Sequence, residues 1–262
     1  DPDAWVAQTG TAGSYGTFDM GVNGAWTYTL NNANSTVDGL TDSGTLTDSF
    51  TVQTEDLTET TVILTINGAN DKPVIVNNAA LTLNVRESGA ATAGVLTDSA
   101  TLSVIDPDMT TGGLWSLQTL GLNYGISVSH NPLDGSWSYI LNDAGFVVNR
   151  LNEGEVVSDN FLRIYTDEFG LASDSVPLTV FITGSNDAAV ISGTSTGTVD
   201  EDGVPNTVSG DLFHTDVDTN DANDIWVAQT GTAGSYGTFD MGVNGAWTYT
   251  LDNANTTVDA LS

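Results

Sequence analysis

Gly24-Ala25-Trp26-Thr27-Tyr28-Thr29-Leu30 sets large apolar residues at every second position. Alternate residues of a strand point to opposite faces. The spacing therefore predicts a strand whose Trp26, Tyr28 and Leu30 face a core while Ala25, Thr27 and Thr29 face water. Asn23 precedes Gly24, and an Asn-Gly step favours the positive backbone angles of a tight hairpin turn. The stretch returns unchanged as Gly245-Ala246-Trp247-Thr248-Tyr249-Thr250-Leu251 behind Asn244. A looser copy, Gly135-Ser136-Trp137-Ser138-Tyr139-Ile140-Leu141, follows Asp134. Each copy reads as the second strand of a hairpin that carries a core tryptophan.

The copies keep a beat. Trp26 and Trp137 are 111 residues apart, Trp137 and Trp247 are 110 apart, and Trp5, Trp115 and Trp226 repeat the spacing upstream. A period of that length is one β-sandwich, not a solenoid repeat. Residues 5–41 and 226–262 differ only at Asn31/Asp252, Ser35/Thr256, Gly39/Ala260 and Thr41/Ser262. Strands are predicted at Trp5–Thr9, Tyr15–Met20, Ala25–Leu30, Ser49–Thr54 and Thr60–Asn67, with a short helical turn over Asn34–Leu40. Further strands are predicted at Val74–Val76, Leu81–Arg86, Thr101–Ile105, Leu114–Leu120, Gly125–His130, Ser136–Leu141, Asn160–Thr166 and Ser175–Ile182. Gly68-Ala69-Asn70-Asp71 and Gly184-Ser185-Asn186-Asp187 mark the boundaries. The expectation is an all-β chain of tandem Greek-key sandwiches. Residues 1–69 would be a unit lacking its opening strands, 70–187 a whole unit, and 188–262 a unit lacking its closing strands.

The 262 residues carry a formal charge of −30, with four Lys plus Arg against 34 Asp plus Glu. Such a chain cannot neutralise phosphates, so nucleic acid is excluded as a partner, and an anionic membrane surface is disfavoured. Cations are the natural counterparts. No apolar run reaches the 18 residues of a membrane span. There is no cysteine, which fits a reducing compartment or a bacterial extracellular protein that does without disulfides. The 39% of hydrophobic residues suffice for several small cores.

Four kinds of acidic group recur. Asp216-Val217-Asp218 opens a stretch running to Asn220, Asp221, Asn223 and Asp224; Asp106-Pro107-Asp108 is its counterpart, and Asp1-Pro2-Asp3 a remnant. Asn70-Asp71 and Asn186-Asp187 lie in the linkers. Glu87 and Asp200-Glu201-Asp202 lie near the end of a unit's first strand. Glu55-Asp56 and Asp167-Glu168 precede each linker by about 15 to 20 residues, in turns taken to lie at the far end of the preceding sandwich. Ca²⁺ takes six to eight oxygen ligands, and an Asp-x-Asp step in an irregular loop can bring two carboxylates to one ion. An isolated Asp-x-Asp step reads better as an Asx turn than as a metal site. Four groups recurring at two junctions favour calcium, because clustered like charges are costly without a cation. The loop is not an EF-hand: Asp221 stands where that loop needs glycine and Val227 where it needs a bidentate Glu.

The Gly-x-Asn-Asp linker, the Val199-Asp200-Glu201-Asp202-Gly203 strand end, the Asp-x-Asp loop and Gly-x-Trp-x-Tyr together resemble the VCBS repeats of large bacterial surface proteins and the broader cadherin-like class. In the middle unit Arg86-Glu87-Ser88-Gly89 replaces the acidic strand end. The resemblance implies tandem β-sandwiches in secreted RTX-type adhesins of biofilm or host contact. It also implies calcium ligands at Asn70, Asp71, Glu87, Asp106 and Asp108 for the first linker, and at Asn186, Asp187, Glu201, Asp216 and Asp218 for the second. Asp200, Glu55, Asp56, Asp167 and Glu168 join them through the recurring acidic groups above.

Catalysis finds little support, with His130 and His214 the only histidines. The expected protein is a non-enzymatic, calcium-stiffened spacer of an extracellular adhesin. Its expected partners are calcium, a surface polysaccharide, and neighbouring copies joined through the incomplete terminal units. The alternative is a carbohydrate-binding module of a secreted polysaccharide-degrading enzyme. That alternative needs exposed, coplanar aromatics, whereas the alternation around Trp26, Trp137 and Trp247 puts them in cores.

Overall fold

The computed structural model describes residues 4–219 and 225–261, and its regular elements are almost all strands. Asp1-Pro2-Asp3 and the stretch from Asn220 to Asp224 lie outside the described residues. The first unit holds β1 (Gln8–Ala12), β2 (Gly16–Met20), β3 (Trp26–Leu30), the helical turn α1 (Ser35–Asp38), β4 (Thr45–Gln53) and β5 (Glu59–Asn67). Strands β1, β2 and β3 form one antiparallel sheet. The β4–β5 hairpin packs on it through Phe18 and Met20 against Phe50 and Val52. α1 forms where predicted because the Asn34 carboxamide caps it, accepting the Thr36 N–H at 2.9 Å.

The middle unit holds β6 (Val74–Val76), β7 (Thr82–Arg86), β8 (Thr97–Thr101), β9 (Ser103–Ile105), β10 (Leu114–Gly121), β11 (Gly125–His130), β12 (Ser136–Leu141), β13 (Val156–Thr166) and β14 (Val176–Thr183). One sheet has the order β10-β13-β14-β7, with β7 parallel to β14; the other has the order β11-β12-β8, and β6 pairs with β9. After the β11–β12 hairpin the chain crosses back to lay β13 beside β10, which is a Greek-key path. Between the sheets lie Leu83, Trp137, Tyr139, Phe161, Leu178 and Ile182, all buried. The strand expected over Thr101–Ile105 forms as β9 over Ser103–Ile105, and β8 is a further strand just before it. The Thr-Asp-Ser-Ala-Thr sequence of β8 has no apolar alternation, and it is fixed by pairing with β12 and by Asp98 Oδ2 accepting the Asn84 N–H at 2.8 Å.

The third unit holds β15 (Val190–Gly193), β16 (Thr207–Thr215), β17 (Gln229–Ala233), β18 (Gly237–Met241) and β19 (Ala246–Leu251) in one sheet of order β15-β16-β19-β18-β17.

The repeated hairpins form as read. Gly21 N–H donates to the Ala25 carbonyl at 2.9 Å, and Gly24 carries the positive φ of +80° that closes the turn. Gly135 and Gly245 repeat it at +74° and +83°. The tryptophans diverge. Trp137 is 2% exposed and its Nε1–H donates to the Ala80 carbonyl at 3.0 Å. Trp247 is 8% exposed and donates to the Thr194 carbonyl at 2.7 Å. Both acceptors belong to the opening segment of the same unit. Trp26 has no such segment over it among these residues and is 48% exposed, stacked on Phe18.

Candidate metal centres

The acids gather at two linkers. At residues 68–71, Asp42 Oδ1 accepts the Asn70 N–H at 2.8 Å, tying the linker to the loop after α1. Asn70 Nδ2 donates to Asp167 Oδ2 at 2.8 Å, and the Asp71 N–H donates to Asp108 Oδ2 at 3.1 Å. The linker, the β9–β10 loop and the β13–β14 turn are thereby joined, yet only part of each polar group is used. Asn70 Oδ1, Asp108 Oδ1 and both carboxylate oxygens of Asp106 are buried without a hydrogen-bond partner. Oxygens in that state are costly unless a cation faces them. Burial, with the facing Asp108 carboxylate, pushes Asp106 up to about 6. Burial, with the charges of Asp38 and Asp108, also raises Asp71. Glu168 stands behind this group. Its Oε1 accepts the N–H groups of Thr110 and Thr111 at 2.6 and 2.9 Å, and these bonds hold its carboxyl down at about 2. It fixes the loop that follows Asp108.

At residues 184–187, Glu87 is fully buried. Its Oε2 accepts the Ser185 N–H at 3.2 Å, while Oε1 is buried with no partner. The Asp187 N–H donates to Asp218 Oδ2 at 2.8 Å, and the Asp218 N–H to Asp216 Oδ1 at 2.9 Å. Asp187 Oδ2 is buried without a partner. Glu153 Oε2 accepts the Asn186 N–H at 3.0 Å, and Asp143 Oδ1 accepts the Ser88 N–H at 2.8 Å. Burial pushes Glu87 up to about 7 despite the Ser185 bond, with the charges of Asp187, Asp218 and Asp143 adding to it. Burial and the charges of Asp218, Asp216 and Asp143 likewise raise Asp187.

The grouping differs from the sequence expectation in three ways. Asp167-Glu168 lies at the linker before its own unit, not after it. β14 spans eight residues, about 26 Å, between that turn and residue 184, so the turn sits at the opposite end of the sandwich. By the same geometry Glu55-Asp56 lies away from Asn70: the Glu55 N–H donates to the Ala4 carbonyl, and Asp56 Oδ1 accepts the Thr58 N–H as an ordinary Asx turn. Glu87 belongs to the second linker rather than the first. Asp200 and Glu201 reach neither, because the nine residues of β16 separate them from Asp216 and Asp218. Four acids at the linkers lay outside the sequence expectation: Asp38, Asp42, Asp143 and Glu153. The repeat carries a signal for two of them, an acid two residues after Leu40 and after Leu151.

Among the described residues no three carboxylate or imidazole groups stand as a ready-made cluster. The acids are instead paired across backbone N–H groups, a spacing that like charges without a counter-ion favour. His214 packs edge-on against Trp226 at 5.8 Å and takes no part. Trp137 and Trp247 are in cores and offer no platform for a sugar, whereas Trp26, expected in a core too, is 48% exposed and stacks on Phe18.

No protein-family model matches the chain, and no curated protein does. Solved structures similar to it include PcdhgB3 EC1-4, at 12% identity and a TM-score of 0.48, over 95% of this chain and 57% of that one. Mouse clustered PcdhgC3 EC1-3 is similar at 19% identity and a TM-score of 0.48, over 95% of this chain and 79% of that one. Human CDH23 EC21-23 is similar at 12% identity and a TM-score of 0.45, over 94% and 82%. The chain thus spans less than two thirds of the length of the PcdhgB3 structure.

Proposed function

We propose that the chain is a calcium-stiffened extender in an extracellular adhesion protein, with residues 1–69, 70–187 and 188–262 as successive units. One observation carries this reading. Among the described residues, every buried carboxylate oxygen without a donor lies at one of the two linkers. Asn70, Asp71, Asp106, Asp108 and Asp167 would hold calcium at the first linker; Glu87, Asp187, Asp216 and Asp218 would hold it at the second. Bound calcium balances the charge of these groups. Each set draws on a linker and on the loops of the units beside it, so an ion there fixes the angle between units. The resemblance to VCBS repeats supports a bacterial surface or secreted setting, in which a stiff spacer carries a distal binding domain away from the cell.

Calorimetric titration with calcium, with a chelator control, is expected to give binding with Kd of roughly 10⁻⁴–10⁻³ M, the range of extracellular modules. Small-angle scattering should show an extended rod with calcium and a more flexible particle in chelator. Asp187→Ala should loosen the second linker while the near-UV signal of the middle sandwich persists. Absence of both heat and a melting shift on adding calcium would end this reading.

A further inference from the structure

Met109 ties together two of the elements that meet at the first linker. It directly follows Asp108, whose carboxylate accepts the Asp71 N–H. Its Sδ accepts the Tyr165 hydroxyl at 3.2 Å. Tyr165 lies on β13, two residues before Asp167, which accepts from the Asn70 carboxamide. The β9–β10 loop and the end of β13 thus meet through one thioether. Tyr165 is 3% exposed and packs edge-on against Trp115 at 5.1 Å, and its oxygen also accepts the Gly113 N–H. The ring is held by the core, so the hydroxyl cannot follow a displaced sulfur. Met109 is also open to solvent. It is 39% exposed, while the other two methionines, Met20 and Met241, are 5% and 8% exposed. The chain has no cysteine, so no thiol competes for an oxidant.

We propose that Met109 is an oxidation site, and that its conversion to the sulfoxide by a peroxide weakens calcium binding at the first linker. The calcium half of this rests on the extender reading. With hydrogen peroxide, the sulfur lone pair attacks one peroxide oxygen. The S–O bond forms as the O–O bond breaks, and the sulfur gives up two electrons. The proton left on the new oxygen passes to the departing hydroxide, which leaves as water. The product is polar where the thioether was apolar and adaptable. Its oxygen either stands between the sulfur and the Tyr165 hydroxyl or points away and forfeits the bond. In both cases Met109 backs away from β13, and Asp108 moves with it relative to Asp167. Ligand spacing set by such outer contacts governs metal affinity. A methionine sulfoxide reductase restores the thioether.

The test uses the whole chain. After brief exposure to dilute hydrogen peroxide, peptide mass spectrometry should find one added oxygen, on Met109, at least about tenfold faster than on Met20 or Met241. In an Asp187→Ala background, which leaves the first linker, calorimetry should then show calcium binding about tenfold weaker, restored by the reductase. Met109→Leu keeps the size of the side chain and should bind calcium equally before and after peroxide. Tyr165→Phe removes the contact itself: binding should already be weaker, and peroxide should weaken it little further. Circular dichroism checks that each form is folded; if the oxidised chain is not, Tyr165→Phe carries the test, and unchanged calcium binding in it overturns the link to the linker. Equal oxidation of all three methionines overturns the site. Oxidation of Met109 that leaves calcium binding unchanged, or a Tyr165→Phe chain that peroxide still weakens in full, overturns the link and leaves the extender reading intact. Failure of every form to bind calcium overturns the extender reading itself, while the mass spectrum still decides the oxidation site.

Discussion

Asp159→Ala is expected to cost the middle sandwich about 3–5 kcal/mol, the usual result of stripping one member from a buried charged network. Asp159 is fully buried, and among the described residues no arginine or lysine pairs with it. Four donors stabilise it instead. The N–H groups of Asn123 and Tyr124 reach it at 2.9 and 3.2 Å, Asn123 Nδ2 at 3.2 Å, and the Tyr139 hydroxyl at 2.6 Å. Alanine would leave the buried Tyr139 hydroxyl with nothing to accept it and would strip the part-buried N–H groups of Asn123 and Tyr124 of their acceptor. A domain's whole stability is about 5–15 kcal/mol, so the loss is a large share of it. Tyr139→Phe removes a single bond to the charged group and should cost about 1.5–3 kcal/mol. The two changes should be strongly non-additive, because both remove the same contact. Asp48 makes the same clamp in the first unit, accepting from Ser14 and Tyr15 at 3.0 Å and from the Tyr28 hydroxyl at 2.9 Å. Denaturant unfolding of the three variants decides the matter. A change below about 1 kcal/mol for Asp159→Ala would mean the clamp is not part of what holds the sheets together.

What could be read from the chain beforehand was what depends on neighbours in sequence. Alternation around Trp137 placed Trp137, Tyr139 and Leu141 in the core, and all three are buried. Turn chemistry placed the hairpins, and Gly24, Gly135 and Gly245 have the positive φ that Asn-Gly and Asp-Gly steps suggest. What depends on distant contacts was not readable. Trp26 and Trp247 occupy the same seven-residue sequence, yet one is 48% exposed and the other 8%. The difference lies in the segment carrying Thr194, which covers Trp247 from about fifty residues upstream.

The linkers follow the same rule. Asn70-Asp71 and Asn186-Asp187 were legible as motifs, and so were the Asp-x-Asp loops. Assigning Glu87, Asp167 and Glu168 to a particular linker required knowing how many strands intervene. Each strand carries the chain to the other end of the sandwich, so one strand reverses the assignment. Asp42 and Glu153 lie in no dense acidic run and are marked in the sequence only by their shared position two residues after Leu40 and Leu151. Only the fold shows that each holds the N–H of a linker asparagine.

Acid should stabilise the chelated chain and destabilise the calcium-loaded one. Glu87 is pushed up to about 7 from 4.5 and Asp106 to about 6 from 3.8, and Asp71 and Asp187 move the same way. A carboxyl whose folded pKa exceeds its unfolded one binds its proton more tightly when folded. Its stabilising contribution is fully present below the unfolded pKa and is lost as pH rises through the folded one. The melting temperature in chelator should therefore climb as pH falls from 7.5 to 5. Calcium needs the ionised groups. A carboxyl at about 7 is ionised in roughly one molecule in a hundred at pH 5 and in half at pH 7, so affinity at the second linker should drop about fiftyfold. With calcium at a fixed level near the pH 7 Kd, the melting temperature should fall over the same interval, and the two curves should converge near pH 5. His130 works against the rise in chelator, since burial lowers it and its protonation disfavours the fold. Repeating the scan in His130→Gln isolates the carboxyls. Asp48 and Glu168 are lowered instead, so their stabilisation is lost only as pH falls below the ordinary carboxylate range, outside this window. Glu87→Gln mimics the protonated state. It should raise the melting temperature in chelator at pH 7.5 and abolish the stabilisation that calcium gives at the second linker. Parallel curves with and without calcium, or a Glu87→Gln chain that calcium still stabilises in full, would separate Glu87 from the metal.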